Sequence, residues 1–207
     1  VPRGEIFLTT KVKPENFGPG RIMPSVRESL DKLQTEKVDL LLLHWPAIKN
    51  QYPIEDYVGQ FAEVFDAGMA HRIGVSNFTK ALLDEATRLL GHRKVTTNQV
   101  ECHVYMQNRP IVDHCKALGI PVTAYSPLAR GRVVGDPLLE EIGLAHGATG
   151  EQVALAFLMA KGMIVIPSSG KRERIISNFE ARKLRLTAEE VRRIEGLERG
   201  LRLVDGD

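Results

Sequence analysis

Short apolar runs alternate with amphipathic stretches along the whole chain, which predicts strands that alternate with helices. The run 38–45 is almost continuously apolar, as is typical of a strand buried on both faces. The stretch 21–34 instead places Val26, Leu30 and Leu33 on one helical face. The predicted strands are 5–11, 38–45, 72–77, 96–102, 121–126 and 163–168. The predicted helices are 21–34, 54–67, 79–90, 108–118, 137–146, 150–161, 171–179 and 188–198, with Asn77 or Thr79 capping the third and Thr187 the last.

This alternation requires parallel strands joined by right-handed crossovers, a pattern that a doubly wound sheet and a barrel share. Polar residues distinguish the two, because all six predicted strands carry them at or just beyond the carboxyl end. In a barrel these ends converge on one mouth, where active sites form. No G-x-G-x-x-G motif follows any strand, so the barrel is favoured. The polar residues are Lys11, His44, Ser76, Asn77, Gln99, Tyr125, Ser126, Ser168 and Ser169.

Composition and charge exclude several classes of protein. The 207 residues are 43% hydrophobic and 26% charged, which is ordinary for a globular domain. The formal net charge of +2 is too small to suggest a nucleic-acid or membrane-surface partner, so we expect neither. Cys102 and Cys115 form no disulfide framework and no metal pattern, which fits a reducing cytoplasm and no bound metal.

Six segments of the chain resemble the aldo-keto reductase family, in that family's order and at its spacing. They are Thr9-Thr10-Lys11, Leu43-His44-Trp45-Pro46, Ile73-Gly74-Val75-Ser76-Asn77-Phe78, Asn98-Gln99-Val100-Glu101, Ala124-Tyr125-Ser126-Pro127-Leu128 and Val165-Ile166-Pro167-Ser168-Ser169. The resemblance implies an α/β fold, a (β/α)8 TIM barrel of which six of eight strands are present, in one N-terminally incomplete domain over 1–207. The segment lengths are most similar to bacterial 2,5-diketo-gluconate and methylglyoxal reductases of the B type.

The resemblance also implies a reaction, the reduction of a carbonyl by hydride from a nicotinamide. The family uses an Asp, a Tyr, a Lys and a His, with the Tyr as general acid. Lys11 matches the family Lys and His44 the family His, while Trp45 is expected in the substrate pocket. The family's Asp and Tyr belong to the segment before Glu5, which the 207 residues do not contain. We therefore expect either a fragment of a longer gene product, which is the favoured reading, or a divergent member that has no acid.

Matching residues also imply an NADPH site. Ser76, Asn77 and Gln99 would bind the nicotinamide carboxamide, and Tyr125 would stack on the ring. Many family members carry Lys where this chain has Ser168, yet Lys171 and Arg174 still favour NADPH over NADH. The residues expected along the pyrophosphate are Ser126, Leu128, Arg130 and Arg132, and those expected around the adenosine 2′-phosphate and adenine are Ser168, Ser169, Lys171, Arg172, Arg174 and Asn178.

Three functions stay open at this level. The first is an NADPH-dependent reductase of small ketoaldehydes or sugar-derived diketones, expected to be monomeric. The second is a catalytically incompetent fragment or nucleotide-binding remnant. The third is a Schiff-base lyase with Lys11 as nucleophile, which ranks last because it gives Gln99 and Tyr125 no role. Taken singly, Lys11 could be a surface lysine and His44 a structural histidine.

Overall fold

Strands and helices alternate regularly in the computed structural model, which describes residues 1–205. The strands are β1 (Thr9–Val12), β2 (Leu40–Leu43), β3 (Ile73–Ser76), β4 (Val95–Glu101), β5 (Val122–Tyr125) and β6 (Ile164–Val165). The helices are α1 (Ile22–Leu33), α2 (Ile54–Asp66), α3 (Lys80–Leu90), α4 (Arg109–Ala117), α5 (Pro137–His146), α6 (Gly150–Ala160), α7 (Arg172–Glu180) and α8 (Ala188–Glu195). Within residues 1–205, no helix is both long and apolar enough to cross a membrane.

The strands form one sheet in sequence order, β1-β2-β3-β4-β5-β6. The register of β1 and β2 pairs Lys11 with Leu42, and that of β3 and β4 pairs Ser76 with Gln99, both in parallel. The predicted parallel topology is therefore confirmed. The helix caps follow the sequence as well, since the side chains of Thr79 and Thr187 accept hydrogen bonds from the first turns of α3 and α8.

Residues 1–99 and 100–205 make up two compact units. In the first unit β2 is buried over its whole length, and Phe17 stacks on Tyr57 with ring centroids 4.7 Å apart. In the second unit α6 is apolar almost all round, and its buried residues include Phe157 and Leu158. Each unit thus has its own hydrophobic core.

The first strand begins later than the sequence predicts. Instead of a strand from residue 5, Arg3–Glu5 form a turn of 3-10 helix and β1 starts at Thr9. The N–H of Leu8 donates to the Asp39 carboxylate at 2.7 Å and so bonds a side chain, whereas the Leu8 oxygen accepts from the backbone N–H of Asp39 and Leu40. The apolar residues between 5 and 8 fit a paired strand and an unpaired segment equally well, which is why their pattern predicted too early a start for β1.

The last strand is shorter than predicted. Only Ile164 and Val165 pair as β6, although 163–168 was expected. Pro167 has no N–H to donate, so regular pairing cannot continue through it. Exposed apolar side chains follow on α7, where Ile175 is 53% and Phe179 62% accessible.

Candidate active site

Five predicted site residues meet in the first unit, at the carboxyl ends of β1 to β4. The ammonium of Lys11 donates to Oε1 of Gln99 at 2.5 Å. The hydroxyl of Ser76 donates to the backbone oxygen of Gln99 at 2.8 Å. The amide of Asn77 donates to Oγ of Ser76 and to the backbone oxygen of His44, each at 3.1 Å. Lys11, His44, Ser76, Asn77 and Gln99 are hereafter called the Gln99 cluster.

Backbone geometry explains why these strand ends can meet. Gly74 lies in the middle of β3, where an added Cβ would come within 2.7 Å of the backbone oxygen of Thr97. A glycine therefore permits the close approach of β3 and β4 that puts Ser76 beside Gln99. Asn77 then takes the left-handed region with φ of 62°, which asparagine tolerates better than most residues. That turn aims its amide at His44 and Ser76.

Burial and positive charge shape the protonation of the Gln99 cluster. The pKa of His44 is lowered, mainly by burial and then by the charges of Lys11 and Lys13. The imidazole is accordingly neutral at pH 7 and can donate or accept a hydrogen bond. Burial also lowers the pKa of Lys11, although its ammonium keeps a hydrogen bond to Gln99. Trp45 follows His44 after β2 and is partly exposed.

The remaining predicted residues lie in the second unit, most of them around one open cavity of about 630 Å³. The loop after β5 forms one side, and the segment from β6 into α7 forms the other. Four predicted residues are not on its lining, namely Tyr125, Arg132, Lys171 and Arg172. Tyr125 ends β5, and Lys171 is the N-cap of α7, where its N–H donates to Oγ of Ser169 at 3.1 Å. The predicted residues that line this α7 cavity are Ser126, Leu128, Arg130, Ser168, Ser169, Arg174 and Asn178.

The loop after β5 has an unusual backbone. Ser126, Ala129 and Arg130 all have positive φ, at 49°, 48° and 52°. Each such non-glycine residue costs on the order of 1–3 kcal/mol, and this kind of strain is concentrated at functional sites. The strained loop borders the α7 cavity directly and carries Arg130 to its edge.

Sequence reasoning missed several residues that line the α7 cavity. Glu173 and Ser177 belong to α7, and Glu151 to the first turn of α6. Ser177 stands one turn beyond Arg174, so the helical period could have revealed it. Glu151 carried no such signal, because only the tertiary fold brings α6 to this cavity.

Three tyrosines are poorly suited to act as acids near neutral pH. Burial is the main cause that raises the pKa of Tyr57, Tyr105 and Tyr125 to about 12. An efficient general acid instead has a pKa near the working pH.

Comparison with known proteins defines the class. The aldo/keto reductase family matches residues 1–199, so the chain belongs to that family and is an oxidoreductase. The crystal structure of a 2,5-diketo-D-gluconic acid reductase B is similar with a TM-score of 0.95 at 40% identity, over 100% of this chain and 73% of that one. The predicted fold class, six strands of an α/β barrel, is therefore confirmed.

Individual relatives are also reductases. The methylglyoxal reductase DkgB of Escherichia coli O157:H7 is 41% identical over 204 residues, covering 99% of this chain and 76% of its own length. The glyoxal reductase of Bacillus subtilis is 33% identical over 203 residues, covering 98% and 72%. The chain thus spans about three quarters of the length of these relatives. The roles of the individual side chains remain predictions.

Proposed function

We propose that residues 1–207 act as one aldo-keto reductase domain that binds NADPH and takes part in reducing small ketoaldehydes or sugar-derived diketones to alcohols. The observation that carries this proposal is the α7 cavity, whose lining joins a strained loop to the start of a helix. Relatives named methylglyoxal and glyoxal reductases support the substrate class.

The residues at the α7 cavity fit a phosphorylated dinucleotide. The exposed guanidinium groups of Arg130 and Arg174 stand at its edges, where they can bind phosphate oxygens in bidentate fashion. The N-terminus of α7 adds backbone N–H groups and a partial positive charge, with Lys171 as its N-cap. Glu151 and Glu173 also line the cavity, so part of this positive potential is offset.

The Gln99 cluster fits the nicotinamide end. Lys11 occupies Oε1 of Gln99 and so fixes the orientation of that amide. We assign to Ser76, Asn77 and Gln99 the binding of the carboxamide, and to Tyr125 the stacking on the ring. Bound NADPH would supply the hydride. His44, neutral at pH 7, would donate a hydrogen bond to the substrate carbonyl and orient it. The proton is not assigned to Tyr57, Tyr105 or Tyr125.

A titration with NADPH tests the proposal, followed through the emission of Trp45, the single tryptophan. We expect saturable quenching, and weaker binding of NADH. Methylglyoxal turnover is measured on the same sample. Quenching without turnover would support a nucleotide-binding chain that lacks its acid. Quenching with turnover would support the full reaction. The absence of any binding by a folded sample would refute the nucleotide assignment.

A further inference from the structure

The chain after α8 has no regular secondary structure between residues 199 and 204, yet every N–H in it has an acceptor. We call residues 199–204 the C-terminal tail. Arg202 donates within the tail, to the backbone oxygen of Gly200 at 2.9 Å. The other donors bond groups outside the tail. The N–H groups of Arg199 and Leu201 donate to the backbone oxygen of Tyr105. That of Gly200 donates to the carboxylate of Glu198, and those of Leu203 and Val204 donate to the carboxylate of Glu101.

Glu101 holds the last part of the C-terminal tail with both of its oxygens. Oε1 accepts from the N–H of Leu203 at 2.9 Å, and Oε2 from that of Val204 at 3.1 Å. The side chain ends β4 and is only 1% exposed. A buried carboxylate is costly unless it is fully hydrogen-bonded, and charge-assisted bonds are about twice as strong as neutral ones. A glutamine could not replace it, because an amide has one acceptor oxygen and an NH₂ group.

His103 completes the arrangement from the other side. Its Nε2 lies 3.1 Å from Oε1 of Glu101, and both side chains are fully buried. Burial lowers the pKa of His103, which favours a neutral ring that donates from Nε2. Nδ1 then has no hydrogen-bond partner within residues 1–205. His103 therefore leaves its Nδ1 without a hydrogen bond, while its Nε2 is placed to donate to the Glu101 carboxylate.

A second set of contacts fixes the start of the C-terminal tail. Arg199 places its guanidinium 4.0 Å above the Tyr105 ring. The carboxylate of Glu198 accepts from the N–H of Gln107 at 2.5 Å and from that of Gly200 at 2.7 Å. The tail thus follows the segment 101–107 in reverse order, and Glu101 is its final anchor.

This anchor stands next to Tyr125. The N–H of Cys102 donates to the backbone oxygen of Tyr125 at 3.3 Å, which places the end of β5 beside Glu101. We propose that Glu101 is a positioning residue, which fixes the backbone of Leu203 and Val204 near the end of β5 and so shapes the wall around Tyr125. The role of this wall rests on the proposed function, since it takes Tyr125 as the residue that stacks on the nicotinamide.

Hydrogen exchange in the full chain tests the proposal. In Glu101→Gln, amides of the C-terminal tail should exchange about tenfold faster or more, because the variant loses two charge-assisted bonds. Peptides from α8 should be unchanged. Glu101→Asp keeps two acceptor oxygens and should recover part of the protection. Glu36→Gln, at an exposed position, is the matched control. Equal acceleration over the whole chain would show a general stabilising role and overturn the proposal, as would an unaltered tail.

Two further measurements distinguish failure of the Glu101 proposal from a variant that does not fold and from failure of the proposed function. If Glu101→Gln does not fold, Val204→Pro removes one donor and leaves Glu101 in place, and it should speed exchange in the tail alone. The emission of bound NADPH should change in Glu101→Gln at saturation, with an affinity within about threefold of the parent. Failure of the parent to bind NADPH would refute the proposed function, whereas the exchange result would still decide whether Glu101 anchors the tail.

Discussion

The Gln99 cluster in the first unit and the α7 cavity in the second are built in opposite ways. Gln99 is 3% exposed, and its amide and backbone oxygens are both engaged by neighbouring side chains. Arg130 and Arg174 stand exposed at the edges of an open cavity. One region is organised before any ligand binds, while the other presents charges to solvent.

The difference predicts where substitutions act. In the Gln99 cluster a lost side chain leaves a buried partner unsatisfied, so the free energy of unfolding should fall. At the α7 cavity the same kind of change leaves solvated groups, so stability should hold and affinity for the nucleotide should fall.

Gly74→Ala tests the tight packing of the first unit most strongly. The new Cβ would lie 2.7 Å from the oxygen of Thr97 and 2.9 Å from Cδ2 of Leu42. Overpacking of this kind costs about 1–3 kcal/mol, to be measured by urea unfolding. Gly59→Ala is the control, since nothing lies within 4 Å of its Cβ in α2 and helix propensity should raise stability by about 0.5–1 kcal/mol. Equal effects of the two would contradict the close approach of β3 and β4.

Gln99→Leu should lower both stability and nucleotide affinity. The half-buried ammonium of Lys11 would lose its acceptor at 2.5 Å, at a cost of about 1–3 kcal/mol in the free energy of unfolding. Gln51→Leu, at an exposed position, should leave stability within about 0.5 kcal/mol. Urea unfolding and NADPH titration give the two numbers. If Gln99→Leu is as stable as the parent but binds NADPH weakly, Gln99 would act as Arg130 and Arg174 are expected to act, on affinity and not on stability.

Arg174→Gln should separate affinity from stability. Losing a charged contact to phosphate should weaken NADPH about tenfold, roughly 1.4 kcal/mol, and weaken NADH less. Unfolding should shift by no more than about 0.5 kcal/mol, because the side chain is exposed. Arg182→Gln lies outside the α7 cavity, with its guanidinium over the Phe179 ring, and serves as control. Unchanged NADPH affinity in Arg174→Gln would remove the phosphate role.

The smallest expected effect is on the pH dependence of stability. Because the folded pKa of His44 is lowered, the unfolded chain binds the proton more readily below about pH 6.5. Stability should therefore fall as the pH drops from that value to the folded pKa. His44→Gln should flatten part of this slope between pH 7.5 and 5.5, while His92→Gln, at an exposed position, should not. His103 keeps a residual slope in both variants.

The alternation of elements could be predicted from the sequence because it depends on local patterns. β2 is apolar on both faces, and Thr79 and Thr187 cap helices in a way that short-range hydrogen bonds determine. The start of β1 could not be predicted in this way. It depends on Asp39, 31 residues away in the chain from the Leu8 N–H that it binds.

In the candidate site, too, local patterns predicted the residues but not the contacts between distant parts of the chain. Residue types at strand ends and similarity to a family were enough to name Lys11 and Gln99, but not the hydrogen bond between them. The sequence pointed to Glu101 only as the last residue of the Asn98-Gln99-Val100-Glu101 motif. Its contact with Leu203 spans 102 residues of chain, and no pattern in the sequence carries that information.

The exposure of Arg130 and Arg174 also bears on how nucleotide affinity is measured. Attraction between solvent-exposed charges is screened over about 10 Å at 0.1 M ionic strength and over about 3 Å at 1 M. The affinity for NADPH should therefore fall steeply with added salt, and phosphate buffers should compete for the same guanidinium groups. Dissociation constants from different laboratories will be comparable only at matched ionic strength and in buffers without phosphate.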